Sequence, residues 1–177
     1  MQPPRFVWLD LEMTGLDPAS CVIVEIGIVV TGADLVPIDE WATAVWQPEE
    51  ALAKMAPFVR DMHTKNGLLD RVRASTLTAD DAEKKALALV SRHFAFGAAI
   101  LAGNSIHHDR LFLRRYLPAF ERYLHYRQLD VSSLKVLCQA WYGEDKQFVK
   151  QEKSHTALDD LRASLAELAH YRAELFR

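Results

Sequence analysis

The chain has only two cysteines, Cys21 and Cys138. They stand in no CxxC spacing, so a disulfide scaffold and a thiolate metal knuckle are both excluded. Buried free thiols in apolar surroundings, in a reducing cytoplasm, are the expectation. Positive charge is also in short supply: 21 Lys and Arg against 24 Asp and Glu leave a formal charge of −3. No chain-wide field exists to track along a long polyanion, and a grip on one has to be local. Long hydrophobic runs are missing too, none reaching the roughly 18 apolar residues a membrane helix needs. Residues 1–5, Met-Gln-Pro-Pro-Arg, lead straight into a strand pattern without the apolar core of a signal peptide. The expected protein is neither secreted nor membrane-bound.

Half of the residues are hydrophobic and a quarter charged, the balance of a globular chain, and 177 residues suit one domain over 1–177. Residues 6–13 alternate apolar groups with carboxylates, and 22–31 are rich in Val and Ile, with turn signals at Gly15 and Asp17-Pro18 between them. A third strand over 40–46 completes an antiparallel meander. Helical spacing starts at Pro48, and Thr78-Ala79-Asp80-Asp81 reads as a capped start to a helix running to Phe96. A short buried strand over 99–102, a helix over 107–117 broken at Pro118, a strand over 126–131 and a helix over 132–142 follow. The charged segment 144–153 reads as a mobile loop, and Leu158, Leu161, Leu165 and Leu168 mark a closing amphipathic helix. Strands first, then strands alternating with helices, predict an α/β domain on a mixed sheet.

Asp10 and Glu12, two apart in a strand, project to one face and make a metal cradle possible. With 24 acidic residues, about three acid-x-acid pairs arise by chance, so the pair is not specific on its own. Its placement counts for more, since two charges in an otherwise apolar strand are costly unless a cation or water meets them. Asp109 opens a helix directly after a buried strand, where α/β sheets present functional groups, although a first-turn Asp is also ordinary dipole electrostatics. His155 precedes Asp159 and Asp160. Spacing does not choose between these two, because Asp159, at i+4, would share a helical face with the histidine only if the helix already includes it.

The segments WLDLEMTGLDP from Trp8, GNSIHHDRLFL from Gly103 and SHTALDDLRASLAELAHYR from Ser154 resemble, in order, the three motifs of the DEDDh 3′-5′ exonucleases. That resemblance places the third-motif acid five residues after the histidine, at Asp160, and implies a ribonuclease H-like mixed sheet of about five strands flanked by helices. LDLEMTGLDP, MHTKNGL from Met62, HYRQLDVSSLK from His125 and the leucine-rich last helix are similar to oligoribonucleases along nearly the whole chain. The chain departs from that family's usual pattern at His107-His108, where a small residue or Cys followed by Gln is common, at Phe58 for Trp and at Asn66 for Ser.

The resemblance implies a 3′-to-5′ exoribonuclease acting on short single-stranded RNA. Asp10, Glu12, Asp109 and Asp160 would repel one another unless positive charge were supplied, which two divalent cations do; all-oxygen ligands favour Mg²⁺ or Mn²⁺. His155, with an ordinary pKa of about 6.5, suits the general base. By the same resemblance Leu16 and Phe58 pack against bases, while Ser105, Arg127 and Ser132 meet the terminal phosphate, partly from the second subunit of a homodimer. Two other readings remain: a relative acting on longer single-stranded RNA or DNA, and a catalytically silent nucleic-acid-binding module.

Overall fold

The computed structural model describes residues 4–149 and 156–176. Five strands form one mixed sheet in the order β3-β2-β1-β4-β5. Strands β1 (Pro4–Met13), β2 (Ile23–Gly32) and β3 (Pro37–Ala44) are the antiparallel meander, and β4 (Ile100–Gly103) and β5 (Gln128–Asp130) run parallel to β1. The short helices α1 (Glu49–Leu52), α2 (Pro57–Lys65) and α3 (Leu68–Ala74) follow β3, and α4 (Ala79–Ser91) precedes β4. Helices α5 (His107–Tyr116) and α6 (Pro118–Tyr123) join β4 to β5, and α7 (Val131–Tyr142) and α8 (Ala157–Leu175) complete the chain.

Alternation along β1 sorts its side chains between two cores. Val7, Leu9 and Leu11 pack with Ile26, Ile28, Phe112 and Phe120 on one face, under α4 to α6. Trp8 packs on the other with Val29, Leu161, Leu165 and Tyr171, under α8. Asp10 and Glu12 share the parity of Trp8, so the alternation that buries Trp8 under α8 also carries both carboxylates toward its first turn. Burying a Leu side chain stabilises by about 1.5–3 kcal/mol, so the stripe Leu161, Leu165 and Leu168, with Tyr171, holds α8 against the sheet.

Several element ends differ from those the sequence predicts. β3 spans residues 37–44 rather than 40–46, because an edge strand with mostly half-buried side chains lacks a clean alternation. The helical segment after Pro48 divides into three short helices. Helix α4 ends at Ser91, short of Phe96, so that Phe94 can turn into the core before Gly97 adopts φ +73. Pro118 starts a helix instead of only ending one, since proline fits the first helical position. Cys138 is buried but Cys21 is only half-buried. Residues 144–149 are tied to α8: Lys146 Nζ donates to the Glu174 carbonyl at 2.9 Å and His170 Nε2 to the Lys146 carbonyl at 2.8 Å. The rest of the expected mobile loop lies outside the described residues. Among the described residues, no helix is long and apolar enough to cross a membrane.

Candidate metal centre

Carboxylate oxygens of Asp10, Glu12 and Asp160 lie within 4.8 Å of one another. Two come from β1 by strand alternation and the third from the first turn of α8. Thr156 caps that helix, its Oγ1 accepting from the Asp159 amide at 3.3 Å and donating to Asp159 Oδ2 at 2.8 Å. Asp159 is further held by Arg162 at 3.4 Å. Asp160, four residues before the buried Ser164, faces β1 instead. His155 lies outside the described residues.

Asp109 stands beside this group rather than within it. β4 stops at Gly103, where a Cβ would lie 2.9 Å from the Leu9 carbonyl. Beyond that point β1 has no strand neighbour on this side among the described residues, and Asp109 Oδ1 accepts the Leu11 amide at 3.0 Å. Burial is the main reason the Asp109 carboxyl is pushed up to about 7; the Leu11 amide opposes the shift. Glu12 is also pushed up to about 7, first by burial, then by the charges of Asp160, Glu25 and Asp109, with Arg71 opposing. Acids gathered in this way are set to trade protons for cations. The donors are all hard oxygens, which fits Mg²⁺ or Mn²⁺.

The other predicted residues fall into two groups. Leu16 and Phe58 are 68 % and 77 % exposed, on the loop after β1 and at the start of α2. Ser105 and Ser132 meet at 3.2 Å, and the Ser105 amide donates to Asp130 Oδ1 at 2.9 Å, which holds Ser105 in the left-handed region at φ +49. Arg127 is exposed, its guanidinium 5.3 Å from the centre of the Tyr126 ring. The buried Arg110 fixes this segment by donating to the His125 and Tyr126 carbonyls at 3.0 and 3.1 Å.

Three neighbours of the site go unassigned by sequence reasoning. His63 is buried with Nε2 3.1 Å from the Met13 carbonyl and 3.9 Å from Glu12 Oε2. A carbonyl only accepts, so Nε2 carries the proton; burial holds the imidazole below its usual pKa, and Nδ1 has no partner among the described residues. Asn104 Nδ2 donates to Ser164 Oγ and Glu167 Oε2, both at 3.0 Å, and so ties the β4 end to α8. Glu25 is a lone carboxylate in the strand IVEIGIVVTG, a signal that was available in the sequence.

A mixed sheet centred on β1, with carboxylates clustered at the end of that strand, is the ribonuclease H-like arrangement. A sequence model described as exonuclease (RNase_T) matches residues 7–168. The chain is 45 % identical over 172 residues to an oligoribonuclease of Francisella tularensis, covering 97 % of this chain and 96 % of that one. It is 46 % identical over 169 residues to one of Photorhabdus laumondii, covering 95 % and 93 %. Among solved structures it resembles a zinc-bound Escherichia coli exonuclease I complex with single-stranded DNA, with TM-score 0.73 and 14 % identity, spanning all of this chain but only 42 % of that one. The chain thus belongs to the exonuclease family and, within it, to the oligoribonucleases.

Proposed function

We propose that this protein hydrolyses short oligoribonucleotides, dinucleotides above all, from the 3′ end to 5′-mononucleotides. The observation that carries the reading is the convergence of Asp10, Glu12 and Asp160 in a chain 45 % identical to an oligoribonuclease over nearly its full length. Asp10, Glu12, Asp160 and the adjacent Asp109 would hold two divalent cations, Mg²⁺ or Mn²⁺. Bound there, the ions would supply charge screening among the carboxylates and Lewis-acid activation of water and of the scissile phosphodiester. His155 accepts the proton of the attacking water, and the 3′ oxygen of the preceding nucleotide leaves. Leu16 and Phe58, both exposed, pack on bases without regard to sequence, the aromatic stacking on Phe58 contributing roughly 1–3 kcal/mol. Ser105, Ser132 and Arg127 hold the terminal phosphate, which fixes the length of the preferred substrate.

The free thiols of Cys21 and Cys138 suit a cytoplasmic setting. One domain carries the whole activity, and the active form is a homodimer whose second subunit supplies part of the contacts to the terminal phosphate. The dimer reading is supported by the exposed apolar groups Val136, Leu137, Trp141 and Tyr142 on α7, the helix in whose first turn Ser132 lies. Sedimentation is expected to give twice the chain mass at micromolar concentration, and a fully active monomer contradicts it.

Comparing substrates tests the central reading. A diribonucleotide is cleaved at least about tenfold faster, per enzyme, than a ten-nucleotide RNA, because a capped phosphate pocket admits the short end and the longer chain finds no basic track. Faster cleavage of the ten-nucleotide strand shifts the assignment to the longer-substrate relatives.

A further inference from the structure

β2 adds no ligand to the carboxylate group, yet its inward face governs where α8 begins. In the β1–β2 register Gly27 stands opposite Asp10 and Glu25 opposite Glu12. A Cβ at Gly27 would come within 2.8 Å of Ala157 Cβ and 3.2 Å of its carbonyl carbon, so only glycine lets the first turn of α8 descend this far. Glu25, 2 % exposed, receives Arg71 Nη1 on Oε1 at 2.6 Å and the Ala157 amide on Oε2 at 3.1 Å. Three residues after Ala157, Asp160 joins Asp10 and Glu12.

Helix initiation does not require Glu25, because Thr156 already caps α8. A second buried acid beside Glu12 also adds to the repulsion there. What the carboxylate provides is a fixed point: a charge-assisted hydrogen bond from the helix start to β2, with Arg71 holding the acceptor. We propose that Glu25, held by Arg71, is a positioning residue that sets the separation of Asp160 from the Asp10–Glu12 pair and thereby the cation affinity of the site. The proposal rests on the reading of that site as a metal centre.

The test is calorimetric Mn²⁺ titration of the full chain without substrate, together with amide exchange at Ala157 and kcat and KM on a diribonucleotide. Glu25→Ala is expected to weaken Mn²⁺ binding by about tenfold or more, speed Ala157 exchange and lower kcat, with KM changed less than about threefold. Glu25→Gln keeps an oxygen facing the Ala157 amide and restores Mn²⁺ affinity to within about threefold of the parent protein. Gly27→Ala changes no charge but pushes the helix start away, and weakens Mn²⁺ binding as Glu25→Ala does. Parent-like affinity in a folded Glu25→Ala protein overturns the proposal. So does a Glu25→Gln variant as impaired as Glu25→Ala, which makes the charge and not the position the cause. If Glu25→Ala does not fold, Gly27→Ala against Glu25→Gln decides. The titrations use no substrate, so they stand or fall separately from the assignment of short RNA.

Discussion

Asp10→Asn and Asp160→Asn each lower diribonucleotide turnover by on the order of 10³-fold or more, because each removes a ligand from a site whose remaining oxygens no longer enclose the cations. The same substitutions raise the melting temperature measured in EDTA. Without cations the three carboxylates of the group repel within 4.8 Å, and the charge of Asp160 helps hold Glu12 above its ordinary range. Replacing one charge by an isosteric amide relieves that repulsion. The pairing of lost activity with gained metal-free stability separates this site from a structural acid cluster, whose loss would lower both. His155→Ala behaves differently: Mn²⁺ and substrate still bind while the rate falls about 10²–10⁴-fold, as expected for a proton acceptor. Calorimetry, thermal melts and steady-state rates on purified variants check all three. An Asp160→Asn protein that turns over normally, or a His155→Ala protein of unchanged rate, contradicts the assignment of that residue.

Cation affinity rises steeply with pH up to neutrality. Glu12 and Asp109 are raised from ordinary values of 4.5 and 3.8 to about 7. Below that pH each holds a proton that an incoming cation has to displace. With two protons released, the apparent Mn²⁺ affinity falls by up to ~100-fold for each pH unit below 7 and levels off above it. Stability has the opposite slope. Because the folded pKa values lie above the unfolded ones, these two groups favour the fold fully below about pH 4, and that contribution is lost as pH rises through about 7. In EDTA, therefore, their contribution lowers the melting temperature between pH 5 and 8, and Mn²⁺ raises the melting temperature more at pH 8 than at pH 5.5. A Mn²⁺-induced shift of equal size at both pH values contradicts the raised carboxyl groups.

Legibility in the sequence follows the physics of each element. Asp10 and Glu12 are readable because strand alternation has a period of two and Trp8, on the same parity, is buried under α8. The five-strand mixed sheet is readable from the meander and from the short apolar run that becomes β4. The choice of Asp160 over Asp159 is not readable from spacing. It depends on the helix starting after Thr156, which takes Asp159 into its cap and leaves Asp160 facing β1. Glu25 and Arg71 are 46 positions apart and meet only once β2 and α3 are packed. Their pairing therefore leaves no local trace, although a single acid in IVEIGIVVTG already calls for a partner. Asn104 and His63 pass as loop and helix residues until the fold brings Glu167 and the Met13 carbonyl to them.

Anomalous diffraction from crystals soaked in Mn²⁺ with a non-hydrolysable diribonucleotide tests the account most directly. Two manganese peaks are expected, bounded by Asp10, Glu12, Asp109 and Asp160 and touching the phosphodiester. Substrate bound elsewhere, or no manganese at these carboxylates in a preparation that still releases mononucleotides, contradicts it.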